Sequence, residues 1–282
     1  MPQASRLPNY STDSRMAIVL FFLLLLFLYG SIIAVVYSLQ ERLVFRPFLL
    51  MADYAYAFDH PCEELWLPAG AGVQLNALYF RASAPSRGVV LYLHGNRGNL
   101  QRWAEYYADF IPLGYDFFII DYRGYGKSSG VPSEAGLYQD AEAAYRWLAS
   151  RYEEGQIVVY GRSLGSALAA WLGSRFTPQA VILETPYDNI PNVIRAQAGL
   201  PLPAGLFRLH FRNDYYLSRL NCPAYIFAGT QDALVPFRLS LRLRPLLPSP
   251  DHFIIFRGGD HHNLASFPEY QLHLAHILGR GQ

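Results

Sequence analysis

Cysteine is nearly absent from this 282-residue chain, which carries only Cys62 and Cys222. That excludes a small scaffold stapled by disulfides, and two cysteines so far apart neither support nor oppose an oxidising compartment. An excess of one charge sign is missing too: 23 Lys and Arg face 22 Asp and Glu, for a formal net charge of +1. A phosphate-binding domain normally carries a marked basic surplus, so nucleic-acid binding is set aside. There is no Ser/Gly linker, repeat or low-complexity tract, and a composition that is 52% hydrophobic and 16% charged excludes collagen-like, coiled-coil and disordered chains.

What is present is membrane character concentrated in one run. From Met16 to Leu39 no residue is charged. As a helix this run would span roughly 36 Å at about 1.5 Å per residue, enough to cross a bilayer. A cleaved secretory signal would have an apolar core of about 7 to 15 residues followed by a small-x-small cleavage site. Tyr37, Leu39, Gln40 and Glu41 stand there instead, so the run is expected to be a retained single-pass anchor. The expected organisation is a tail over 1–15, a transmembrane anchor over 16–39 and one domain over 40–282. Arg6 and Arg15 precede the anchor while Arg42 and Arg46 follow it, so the charge rule is nearly tied. The free amino terminus tips it toward a cytoplasmic N-terminus, with the large domain on the non-cytoplasmic side. The Asn9-Tyr10-Ser11 sequon has meaning only for a luminal N-terminus.

After Leu39 the pattern alternates. Strand-like runs are Glu64–Leu67, Val73–Phe80, Val89–Leu93, Asp116–Ile120, Ile157–Tyr160, Val181–Leu183, Ala224–Ala228 and Phe253–Phe256. Helical stretches are expected at Leu100–Phe110, Glu134–Tyr152, Leu164–Phe176, Phe237–Leu247 and Pro268–Leu278. Continuous Val, Ile and Phe runs, in place of two-residue alternation, imply a mostly parallel eight-stranded sheet covered by helices on both faces. The first two strands read as a hairpin, which makes the N-terminal edge antiparallel. In such sheets reacting groups gather beyond the carboxyl ends of the strands.

Three of those strand ends carry chemistry. The first is Gly161-Arg162-Ser163-Leu164-Gly165, a G-x-S-x-G between a strand and a helix-like Ser166–Ala170. A serine hydroxyl attacks an acyl carbon only when a base takes its proton and a sharp turn projects it from the sheet. The two glycines remove side chains that so tight a turn excludes. The second is the loop after Ala224–Ala228, where Asp232 could orient an imidazole and stabilise its cationic form. Glu184, ending the preceding strand, is a weaker substitute. The third follows the last strand, where only one of His261 and His262 can serve as base, because consecutive side chains on a turn diverge. Paired histidines also suggest zinc, helped by His273 and His276 at helical i, i+3 spacing to each other, but convincing third and fourth ligands are lacking. No cofactor and no metal are expected. The order Ser163, Asp232, histidine differs from the chymotrypsin and subtilisin orders. Donors for an oxyanion are assigned to the backbone N–H groups of Asn96, in the His94–Asn99 loop, and of Leu164. His94 itself reads as a brace for that loop.

With these motifs together, the chain resembles the α/β-hydrolase superfamily, in particular its membrane-anchored single-pass serine hydrolases of the serine-aminopeptidase-like branch. The matching segments are Leu39–Pro47, His94–Asn99, Asp121–Ser128, Gly161–Gly165, Glu184–Tyr187, Asp232 with Val235-Pro236, and Gly259–His261. The resemblance covers about residues 39–282. It implies the α/β-hydrolase fold, selects His261 over His262, and gives the Asp121–Gly130 loop a bracing role in place of a phosphate-binding one. It further implies a catalytic triad of Ser163, Asp232 and His261, cleaving an ester or thioester through an acyl-enzyme. Residues 187–220 carry Ile190, Val193, Ile194, Leu200, Leu202, Leu206, Phe207, Leu209 and Phe211, and are expected either to form a short apolar cap or simply to pack the core. With the anchor, such a cap suits a lipid ester substrate. Two other readings stay open: a peptidase on the same fold, and an inactive membrane-anchored interaction protein.

Overall fold

The computed structural model describes residues 12–83 and 85–279. Arg6 and the Asn9-Tyr10-Ser11 sequon therefore lie outside the described residues. Eight strands form one sheet: β1 (Cys62–Pro68), β2 (Gln74–Phe80), β3 (Val89–Leu93), β4 (Asp116–Ile120), β5 (Ile157–Arg162), β6 (Ala180–Glu184), β7 (Ala224–Gly229) and β8 (Phe253–Phe256). Their spatial order is β1-β2-β4-β3-β5-β6-β7-β8. Only β2 runs against its neighbours, pairing antiparallel with both β1 and β4, and every other pair is parallel.

The continuous apolar runs have the expected cause. Along β3, Val89, Leu91 and Leu93 enter the core on one face while Val90 and Tyr92 enter the core on the other. A strand sandwiched this way has no wet side and no reason to alternate. Helix α2 (Glu134–Ala149) starts at Ser133, whose hydroxyl accepts the Gly136 N–H, a normal cap for an otherwise orphaned donor. Helices α3 (Leu164–Gly173), α4 (Ile190–Ala198) and α5 (Pro268–Ile277) follow later strands.

Several expectations need correction. The stretch Leu100–Phe110 is two single α-turns, Leu100–Trp103 and Tyr107–Phe110, joined by a 3₁₀ turn; Trp103 is pinned there by its indole N–H donating 2.7 Å to the Arg97 carbonyl. The helix foreseen over Phe237–Leu247 is α-helical only over Phe237–Leu241, with a separate 3₁₀ turn at Arg244–Leu246 whose second residue is Pro245. The apolar run is part of a longer helix, α1 (Thr12–Val44), because Gln40-Glu41-Arg42 continue it past Leu39. Within α1, the window of greatest apolarity has mean hydropathy 2.9, long and apolar enough to cross a membrane.

The chain leaves α1 by a route no periodicity signals. Arg46 and Pro47 pair in parallel with Arg97 and Gly98, and Leu49 bridges to Gly126. The segment after the helix is thereby stitched to the loops beyond β3 and β4, the end of the sheet where chemistry is expected. Residues 187–220 do not pack as one unit. Ile190, Leu209 and Phe211 join the main core, whereas Leu202, Leu206 and Phe207 form a separate cluster with Ile33 and Val36 of α1.

Candidate active site

Ser163 sits between β5 and α3 with φ +52° and ψ −114°, a conformation that L side chains rarely adopt. Backbone strain at such a position persists only when the surroundings enforce it. Here they do. A Cβ on Gly165 would lie 2.0 Å from the Leu93 carbonyl oxygen, and one on Gly161 would lie 2.4 Å from the Gly165 oxygen. The strand and helix can close this tightly only with glycine at both places. The Ser163 N–H donates 2.9 Å to the Glu184 carbonyl, tying the turn to β6.

The three chemical strand ends converge. His261 Nε2 lies 3.0 Å from Ser163 Oγ, and His261 Nδ1 lies 2.7 Å from Asp232 Oδ2. The other Asp232 oxygen accepts the N–H groups of Leu234 at 2.9 Å and Val235 at 2.7 Å, which fixes the carboxylate plane. All three residues are buried, Ser163 being 9% exposed and so still reachable. His262 stands outside this line: its ring is turned nearly perpendicular to that of His261 and it is exposed. Burial first, then the neighbouring His261, pushes its pKa down.

The loop after β3 passes directly over the serine, since a Cβ on Gly95 would be 3.7 Å from Ser163 Cβ. Asn96 is held there from three sides. Its amide donates 2.7 Å to the Val44 carbonyl, and its own carbonyl accepts the Arg46 N–H at 2.9 Å and the Tyr125 hydroxyl at 2.9 Å. Leu164 opens α3, where the first N–H groups have no partner within the helix. His94 is fully buried, its Nδ1 lying 2.7 Å from the Gly95 carbonyl and its Nε2 3.5 Å from Asp121. It braces the loop and does not face the serine. In the next loop Arg123 donates to Asp140 through Nε at 2.9 Å and Nη2 at 2.7 Å, a bracing arrangement as expected.

Beneath Ser163, His261 and Asp232 lies a network that the motifs alone do not reveal. Arg162 is 1% exposed and donates 3.0 Å to the carbonyl of His261, with a second bond to the Tyr106 hydroxyl. Its counter-ion is Glu184, fully buried at 3.5 Å, which also accepts the Tyr160 hydroxyl at 2.7 Å. Burial works against the Arg162 charge, but Glu184 and the surrounding tyrosines outweigh it and hold the guanidinium protonated. Glu184 is thus committed to Arg162 and does not reach His261. A charged residue at the second position of the G-x-S-x-G, entering an apolar sheet, was the available signal for such a network.

Residues 84–216 match the family described as serine aminopeptidase, S33. An uncharacterized protein of Mycobacterium tuberculosis (strain CDC 1551 / Oshkosh) is 31% identical over 246 residues, covering 83% of this chain and 84% of its own. An esterase of Pyrococcus furiosus superimposes with TM-score 0.65 at 19% identity, over 84% of this chain and 97% of that one. The chain belongs to the α/β-hydrolase superfamily. An α/β hydrolase of Vibrio vulnificus has the same fold, with TM-score 0.63 at 22% identity over 77% of this chain and 81% of that one. The lysophosphatidylserine lipase ABHD12 of Macaca fascicularis is 29% identical over 260 residues, which is 82% of this chain and 65% of that relative. This hydrolase therefore spans a little less than two thirds of that lipase.

One carboxylate beside the Arg162 network makes the hydrolase's stability pH-dependent. Asp109, which accepts from Gln271 at 2.8 Å, has its pKa pushed up to about 7, by burial first and by Glu184 second, with Arg162 opposing. The folded chain keeps this proton at pH values where the unfolded chain has lost it, so stability falls as pH rises from about 4 to about 7. Asp109→Asn should be about as stable as the parent at pH 4 and clearly more stable at pH 8. Urea midpoints at the two pH values check this, and an equal gap at both would refute it.

Proposed function

We propose that this chain is a membrane-anchored serine hydrolase that cleaves carboxylic ester or thioester bonds of lipid-like substrates through an acyl-enzyme. The observation that carries the reading is the unbroken line from Ser163 Oγ through His261 to Asp232 on a strained strand-to-helix turn. Ser163 attacks the carbonyl carbon while His261 Nε2 takes its proton, and Asp232 holds the imidazole and stabilises the resulting cation. The tetrahedral oxyanion is met by the N–H groups of Asn96 and Leu164; among the described residues neither donates to a protein acceptor. Collapse expels the alcohol or thiol, which receives the proton from His261. Water, deprotonated by the same imidazole, then releases the acid and restores Ser163.

Three features support a lipid-like substrate: the long apolar helix, the apolar segment packed on it, and the lipase activity in the name of the ABHD12 relatives. The test is a series of p-nitrophenyl esters from acetyl to decanoyl. A buried methylene contributes about 0.8 kcal/mol, or roughly fourfold, so kcat/KM should climb about 10- to 100-fold before levelling. Preference for acetyl would remove the lipid reading while leaving the esterase intact.

A further inference from the structure

The anchor does more than tether. One face of the C-terminal half of α1 packs against the segment Gly199–Phe207. Tyr29 donates its hydroxyl 2.5 Å to the Pro201 carbonyl, and Ile33 and Val36 pack on Leu202, Leu206 and Phe207. Gln40, 1% exposed, donates to the Leu206 carbonyl at 3.3 Å and accepts the Arg208 N–H at 2.7 Å.

These contacts fix a depth. A hydrocarbon core about 30 Å thick takes about 20 helical residues, and the uncharged run Met16–Leu39 admits registers only from 16–35 to 20–39. In either, Tyr29 lies about 9 to 15 Å inside the boundary on the hydrolase side, at about 1.5 Å per residue. Pro201, bonded to Tyr29, is carried to the same depth.

The segment is built for that place. It contains no charged residue, and it is bounded by Arg195 and Arg208. Its outward positions are Gly199, Leu200, Pro201, Pro203, Ala204 and Gly205, none of them polar in the side chain. Backbone groups in hydrocarbon must be satisfied within the protein. Two prolines remove donors, and the carbonyls of Pro201, Leu202 and Leu206 are taken by Tyr29, Arg195 and Gln40. Arg208 turns away to Glu41 at 3.0 Å, at the level where α1 regains charge.

We propose that Gly199–Phe207 is immersed in the bilayer leaflet on the hydrolase side, against α1, so that the partner of this surface is lipid acyl chain and substrates approach the serine from within the leaflet. This rests on the membrane-anchored part of the reading above. The immersed segment is joined to the site through α4, where Gln197 donates to the carbonyls of Ala233 at 3.3 Å and Leu234 at 2.5 Å, next to Asp232.

The test uses the full chain in phosphatidylcholine vesicles, with Cys62→Ser and Cys222→Ser and an environment-sensitive fluorophore on Leu200→Cys. Lipids brominated at mid-chain should cut the emission about twofold or more, and aqueous iodide should leave it unchanged; the same label on Arg151→Cys should respond in the opposite way. Iodide quenching at position 200 without bromolipid quenching overturns the proposal. In a second variant, Leu200→Asp, turnover of a long-chain ester carried in vesicles should fall about tenfold while turnover of a short soluble ester in detergent is unchanged. Equal loss of both would mean a merely structural role and would also overturn it. If Ser163 proves inert, the quenching result still decides the depth, so the two readings fail separately.

Discussion

Replacing Ser163 with alanine is expected to remove ester turnover by at least about 1,000-fold and to abolish labelling by a fluorophosphonate, with the fold unchanged. The expected size follows from the way nucleophile, base and acid act as a unit, so that losing the nucleophile costs nearly the whole triad contribution. What survives comes from binding and the oxyanion donors. The fold should persist because, among the described residues, the Ser163 hydroxyl bonds only to His261 Nε2, whereas the turn is held by backbone, through Ser163 N–H to Glu184 and Ser166 N–H to the Ser163 carbonyl. Labelling and turnover are read beside a thermal melt of both proteins. A variant that melts with the parent yet keeps most of its labelling would refute the assignment of the nucleophile.

Arg162→Ala should be the most damaging single truncation outside the triad. It removes one partner of a fully buried ion pair, leaving the Glu184 carboxylate with only the Tyr160 hydroxyl, and it frees the His261 carbonyl and the Tyr106 hydroxyl. Breaking such a pair typically costs about 3–5 kcal/mol, because an uncompensated charge stays in the apolar interior. For a chain of this size that corresponds to a fall of about 10 °C in Tm. Replacing both partners is a different matter, since apolar or neutral side chains of similar volume remove the charge and its counter-charge together. Arg162→Met with Glu184→Gln should therefore recover much of the lost stability. Turnover should not recover in step, because the His261 carbonyl still lacks its donor. Melting temperatures and kcat of both variants check the argument, and a loss below about 1 kcal/mol for Arg162→Ala would show the pair to be well hydrated.

Much of this molecule was legible in advance, for local reasons. The limits of β3 coincide with the apolar run Val89–Leu93, because a strand buried on both faces begins and ends where its apolar residues do, and those of β4 and β8 match the expected Asp116–Ile120 and Phe253–Phe256. The turn at Ser163 was legible because its two glycines are needed within five residues of chain. The helical stretch at Phe237 is shorter than expected, whereas the one at Leu100 keeps its bounds and only tightens to a 3₁₀ turn over Ala104–Tyr106. At Phe237 the apolar spacing fits a helix through Leu247, but Pro245 has no N–H to continue the ladder, an effect that acts through particular atoms rather than through periodicity.

What the sequence by itself determined was the alternation that makes the sheet, the strained elbow, the order of serine, acid and histidine, and one helix apolar enough to cross a bilayer. Tertiary structure alone decided what Arg162 and Glu184 do, and how the segment after α1 holds Asn96. It also decided that residues 199–207 lie along α1 and not in the main core. The physical reason is separation along the chain. Period and turn chemistry act within a few residues, whereas His261 meets Ser163 across 98 residues, Arg162 meets the His261 carbonyl across 99, and Tyr29 meets Pro201 across 172. Contacts that distant leave no local pattern and exist only once the sheet has brought its strand ends together.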